Sequence, residues 1–77
     1  MQTIAQGSPY TLKSYGGGAC YLLIDETASR AILAQGEDAL ALETDWNGIR
    51  DSLPDSPWRD TLALLWDLWS DAAAPIR

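Results

Sequence analysis

The chain has 77 residues, and its 11 Asp and Glu against 5 Lys and Arg give a formal charge of −6. This length fits a single domain, residues 1–77, that buries only about 60% of its unfolded surface. A hydrophobic content of 47% is too high for a disordered acidic tail, so we expect the chain to fold. Five scattered basic residues argue against direct nucleic-acid binding and against a membrane-surface helix.

The sequence contains no histidine and one cysteine, Cys20. Ser-His and Cys-His nucleophiles and His-containing zinc sites therefore cannot form. Cys20 lies in a short apolar run and is typical of a small core residue rather than a reactive thiol. A lone cysteine forms no intramolecular disulfide, and neither a signal sequence nor an apolar run of membrane length is present. We expect a soluble, cytoplasmic protein.

Carboxylates are the remaining candidates for catalysis or metal binding. The pairs Asp25-Glu26 and Glu37-Asp38 fall in predicted turns, where each carboxylate is exposed and separately solvated, whereas a catalytic pair requires burial or a like-charge partner. Residues 45–51 lack the alternating oxygen ligands and the closing Glu of a calcium loop. We therefore expect no enzyme activity, no metal and no cofactor.

The part of the chain before residue 36 predicts an antiparallel meander. Residues 10–15 and 30–35 fit strands, and the apolar run 19–24 is typical of a central strand buried on both faces. Glycines 16–18 can adopt the positive φ of a turn between the first two strands. Residues 25–27 predict the next turn.

Residues 37–43 fit two structures. The alternation from Ala39 to Glu43 favours a fourth strand, followed by a short helix that Thr44 caps. However, Leu42, Trp46 and Ile49 are spaced as on one face of a helix, which could begin near Gly36. We take the strand as the prediction and keep the helix as the alternative.

The last element predicts an amphipathic helix from Pro57 to about residue 73, with Ser56 as its N-cap. Its apolar arc spans roughly 200°, broader than the stripe of about 100° that packing on one sheet face requires. Trp58 and Trp69, with Trp46, are predicted to fill the core. Trp66 lies at the edge of the arc, so we expect it to be exposed and to contact a partner together with Leu64 or Leu68.

The fold expected from these elements is α+β: a small antiparallel meander of three to four strands, about residues 10–43, packed against one or two C-terminal α-helices, about residues 44–73. The whole charge of −6 falls after Gly36. Such carboxylates most often form a solvated helix face, but they can also imitate a phosphate backbone in front of a basic groove. The candidate partner-binding residues are Asp51, Asp55, Asp60, Trp66, Asp67 and Asp71.

This profile is similar to that of small acidic phage-encoded inhibitors of bacterial defence, in particular anti-CRISPR proteins. The residues that prompt the likeness are the row Asp60, Asp67 and Asp71 with Glu43, Asp45, Asp51 and Asp55, on a chain too small for an enzyme. The likeness is one of profile and includes no sequence motif. It implies a stoichiometric inhibitor in the host cytoplasm that binds a basic protein, either a CRISPR effector subunit or a nuclease. A DNA mimic is one form that such an inhibitor can take.

Two alternatives remain open from the sequence. The protein could be an immunity protein or antitoxin that covers a nuclease toxin, which also requires an acidic face. It could instead be a dimeric structural adaptor that uses the surplus apolar arc of the last helix for assembly.

Overall fold

The computed structural model of the chain describes residues 2–17 and 19–75, and it has an α+β fold. The strands are β1 (Gln2–Gly7), β2 (Tyr10–Tyr15), β3 (Cys20–Asp25), β4 (Arg30–Gln35) and the short β5 (Ala74–Pro75). The helices are α1 (Glu37–Ser52) and α2 (Trp58–Trp69), and a 3-10 turn, Ser70–Ala72, follows α2. All strands pair antiparallel in the order β1-β2-β3-β4-β5.

The predicted meander is confirmed, with β2 and β4 at the expected residues and β3 shifted by one residue. Gly16 and Gly17 adopt positive φ in the β2–β3 turn, while Gly18 lies outside the described residues. β1 was not predicted, because its sequence QTIAQG has only one large apolar residue, Ile4. It pairs with β2 through a bulge between Thr3 and Ala5.

The core lies on one face of the sheet. Alternate strand residues point to opposite faces, and the cross-strand row Ala5, Leu12, Leu23, Ile32 is at most 1% exposed. Both helices pack on this row, α1 mainly over β4 and α2 mainly over β1 and β2. The prediction that the central strand is buried on both faces is therefore wrong, since the residues of β3 alternate between buried and half-buried.

The predicted fourth strand at residues 39–43 is also wrong. α1 begins directly after Gly36, whose φ of +60° reverses the chain direction. Ala39, Leu42 and Trp46 are buried at helical spacing, so the i, i+4 pattern overrides the short alternation. Thr44 is inside the helix, where its hydroxyl donates to the Leu40 carbonyl at 2.9 Å instead of capping. The fourth long strand of the sheet is β1.

α2 is shorter than expected at both ends. It begins at Trp58 with Pro57, not Ser56, in the N-cap position, and no side chain caps it. The backbone N–H groups of Asp60 and Thr61 donate to the Pro57 carbonyl at 3.0 and 3.2 Å. The α-helix ends at Trp69, because the chain tightens into the 3-10 turn before it joins β4 as β5.

The tryptophans are distributed differently from the prediction. Trp46 is buried as expected and Trp69 is half-buried, but Trp58 is 41% exposed and Trp66 only 9% exposed. The exposure expected for Trp66 is therefore wrong. α2 lies on the sheet with Trp66 turned toward Tyr10, and their ring centroids are 6.0 Å apart. Trp58 is instead at the start of the helix, where the Arg50 guanidinium lies 5.9 Å from its ring.

Two acidic residues of α1 accept hydrogen bonds that join this helix to the sheet and to α2. The Tyr21 hydroxyl donates to Glu43 at 3.1 Å, which joins β3 to α1. The Trp69 indole donates to Asp45 at 2.9 Å, which joins the two helices. Burial, followed by the hydrogen bond and charge of Glu43, raises the pKa of Tyr21. These two carboxylates therefore have structural roles.

Gly7 allows the close approach of α2 to the sheet. A Cβ at this position would lie 2.7 Å from Arg59 Cα, closer than real Cβ contacts, and the obstacle is backbone. We expect Gly7→Ala to lower the free energy of unfolding by about 1–3 kcal/mol, as overpacking does. Gly48→Ala is the matched control, because the helical Gly48 has open space around its Cβ direction and should gain about 0.5–1 kcal/mol. Urea unfolding measures both, and equal shifts would contradict this packing.

The raised pKa of Tyr21 predicts alkaline destabilisation. Below pH about 10 the phenol is protonated in both states, whereas above it the unfolded chain loses the proton first. Stability should therefore fall as the pH rises from about 10 through the pKa of the folded state. Tyr21→Phe should show a shallower decline in urea unfolding between pH 9 and 11, relative to its own stability at pH 7. A decline as steep as that of the unchanged protein would contradict the assignment.

Candidate protein-binding face

The outward side of α2 combines carboxylates with apolar side chains. We call it the acid–leucine face and define it as Asp60, Leu64, Asp67, Leu68 and Asp71. All five are exposed, with Leu64 44% and Leu68 64% accessible. Asp67 lies within about 20° of Asp60 in helical projection, and Asp71 follows in the 3-10 turn beyond α2. The buried residues of α2, namely Thr61, Leu62, Leu65 and Trp66, occupy the opposite side.

Two carboxylates of this face lie where negative charge lowers the stability of the helix. Asp67 lies in the last turn of α2 and Asp71 just beyond it, where the helix dipole disfavours negative charge. They are also like charges four residues apart in sequence, on either side of the junction between α2 and the 3-10 turn. Among residues 2–17 and 19–75 the one ion pair joins Arg59 Nε and Asp60 Oδ1 at 3.7 Å. Cations at the C-terminal end of the helix would instead interact favourably with its dipole.

The structure separates the predicted site residues into three groups. Asp60, Asp67 and Asp71 share the acid–leucine face. Asp51 and Asp55 are exposed at the connection between the helices, where Asp51 lines an open depression of about 490 Å³ together with Asn47, Arg50 and Pro54. Arg50 is adjacent there and offsets part of the negative charge. Trp66 is buried and is removed from any contact surface.

The accessible apolar side chains of this face are therefore leucines. The sequence left Trp66, Leu64 and Leu68 as candidates, and the packing of Trp66 against Tyr10 leaves only the two leucines accessible. They lie one helical turn apart beside the acid row. Two further apolar residues, Leu53 at 38% and Trp58 at 41% exposure, lie in or next to the interhelical connection. Trp58 was predicted to be buried, because tryptophans usually lie in the core of so small a domain.

Within residues 2–17 and 19–75, no three side chains of metal-binding type come together. None of the helices in these ranges has both the length and the apolar character needed to cross a membrane. The chain matches no protein-family model, and comparisons with curated proteins and with solved structures give no significant match.

The unfavourable placement of Asp67 predicts that its removal stabilises the protein. Asp67→Asn should raise the free energy of unfolding by about 0.5 kcal/mol, because it removes a like-charge pair and an acid at a helix C-terminus. Asp38→Asn is the matched control, since Asp38 lies in the first turn of α1, where negative charge is favourable. It should shift stability in the opposite direction. Chemical unfolding at low and high salt measures both shifts, and shifts of the same sign would contradict this electrostatic account.

Proposed function

We propose that the protein is a stoichiometric binding inhibitor whose acid–leucine face occupies a basic, nucleic-acid-binding surface of another protein. The observation that carries the proposal is the placement of Asp67 and Asp71. Both are exposed at the C-terminal end of α2, four residues apart. Their mutual repulsion lowers stability in the free protein, and a cationic partner would relieve it.

The charge density indicates what kind of mimicry this face could perform. From Asp60 to Asp71 the helix rises about 16 Å and presents three carboxylates. A single DNA strand presents about five phosphates over the same length. The face is thus a partial imitation of a phosphate backbone, in which charge guides the encounter and Leu64 and Leu68 add apolar contact.

This combination favours a partner surface that is basic at its edge and has an apolar depression. Groups that bind only phosphates, such as scattered lysines, offer nothing to the two exposed leucines. The likeness to anti-CRISPR proteins makes a subunit of a CRISPR effector in the host cytoplasm the first partner class to test. A nuclease toxin is the second, because an immunity protein would use the same charge and the same leucines.

The proposal is tested by displacement of labelled DNA from purified CRISPR effector complexes and from nuclease toxins. We expect the protein to displace DNA from one of these at one chain per binding site. Raising the salt concentration should slow association, since charge steering is screened. If no member of either class releases DNA or binds the chain, the proposal is wrong.

The variant Asp60→Asn/Asp67→Asn/Asp71→Asn should weaken binding to the identified partner at least tenfold, mostly through slower association. The matched control Glu37→Gln/Asp38→Asn, compared with the double variant Asp67→Asn/Asp71→Asn, removes the same charge from exposed positions elsewhere. It should bind with nearly unchanged affinity. If both double variants lose affinity equally, only net charge matters and the acid–leucine face is not the contact surface.

A further inference from the structure

The sheet has a second face on which no described element packs. Its strand residues form three cross-strand rows, namely Thr3, Lys13, Leu22, Leu33; Gln6, Thr11, Ile24, Ala31; and Tyr15, Cys20, Gln35. Both helices lie on the opposite face. Leu33 is 57% exposed, and Leu22 and Ile24 are only half-buried although they belong to the central strand. We call this surface the open sheet face.

The charge of the molecule is distributed unevenly between its two sides. The three rows of the open sheet face contain one charged side chain, Lys13, and its end carries Glu26, whose carboxylate accepts from the Thr11 hydroxyl at 3.5 Å. This side is therefore close to neutral. The acid–leucine face lies on the helical side of the molecule, and the acids after Gly36 are in α1, α2 and the segments that follow each of them.

We propose that the open sheet face binds a second copy of this chain in a symmetric, face-to-face dimer. A copy that approaches from the helical side meets like charge, whereas an approach through the open sheet face brings two nearly neutral, apolar surfaces together. Leu22, Leu33 and Ile24 then leave water on both copies. Aligned packing of two such sheets is the arrangement of a β-sandwich.

The area of the open sheet face limits how stable this dimer can be. Four strands of six residues cover about 20 Å by 19 Å, so the two copies together bury about 800 Å². Stable interfaces bury about 1,200–2,000 Å². We therefore expect a weak dimer that forms only at high protein concentration.

The two charges on this side define the orientation of the copies. Lys13 and Glu26 lie on either side of Thr11 along the strand direction. A two-fold axis across the strands, between these charges, places Lys13 of each copy opposite Glu26 of the other. Because the interface is isologous, the pair occurs twice.

The apolar part of the proposal is tested by sedimentation at protein concentrations up to about 1 mM, a range in which the dissociation constant of a weak dimer can be measured. Leu33→Glu should raise that constant at least tenfold. The control Leu40→Glu introduces the same charge at an equally exposed leucine of α1, 65% accessible, and should raise it less than threefold. The proposal is wrong if the protein is a monomer at all concentrations, even if its open sheet face binds a different protein. It is also wrong if the two variants have equal effects on the dissociation constant. Circular dichroism verifies that both variants are folded.

The orientation is tested by charge exchange at positions where misfolding is not expected. Lys13→Glu and Glu26→Lys alone should each weaken the dimer at least fivefold, because each brings like charges together twice. An equimolar mixture of the two variants should form a heterodimer. In it, the glutamate introduced in one variant faces the lysine introduced in the other, and the unchanged Lys13 and Glu26 form the second pair. A mixture that associates no better than either variant alone would overturn the two-fold arrangement.

Discussion

The structure depends on one constraint: the two helices are enough to cover only one face of the sheet. α1 and α2 lie side by side over the row of Ala5, Leu12, Leu23 and Ile32, and they seal it from water. Residues 2–17 and 19–75 provide no further segment for the second face. The accessible apolar residues on the open sheet face and on the outward side of α2 are both consequences of this two-layer architecture.

Three of the four tryptophans compensate for the small size of the core. Trp46 and Trp66 fill the space between helices and sheet, and Trp69 joins the helices through its hydrogen bond to Asp45. Each is large enough to replace several aliphatic side chains in a domain without phenylalanine. Because Trp66 is needed in the core, the outer side of α2 retains only leucines for apolar contact.

The sequence predicted the α+β class and the strands β2, β3 and β4, because their apolar runs and glycine turns are local signals. It failed where two periodicities overlapped, at residues 39–43, since the burial of Leu42 depends on how α1 crosses β4. The acid row of Asp60, Asp67 and Asp71 was also predicted, because its spacing along the sequence is a local signal. The burial of Trp66 was not predicted, because it depends on contacts of α2 with Gly7 and Tyr10, which lie more than 50 residues before their partners Arg59 and Trp66.

The two surfaces lie on opposite sides of the same two-layer molecule, which limits how the two proposals combine. A dimer through the open sheet faces would direct its two acid–leucine faces away from each other. One rigid groove could then engage only one of them, so dimerisation would add no avidity toward a single target molecule. It would instead join two target molecules, or two sites on a repeating assembly. At concentrations far below the dimer dissociation constant the monomer would inhibit alone, with one chain for each basic surface.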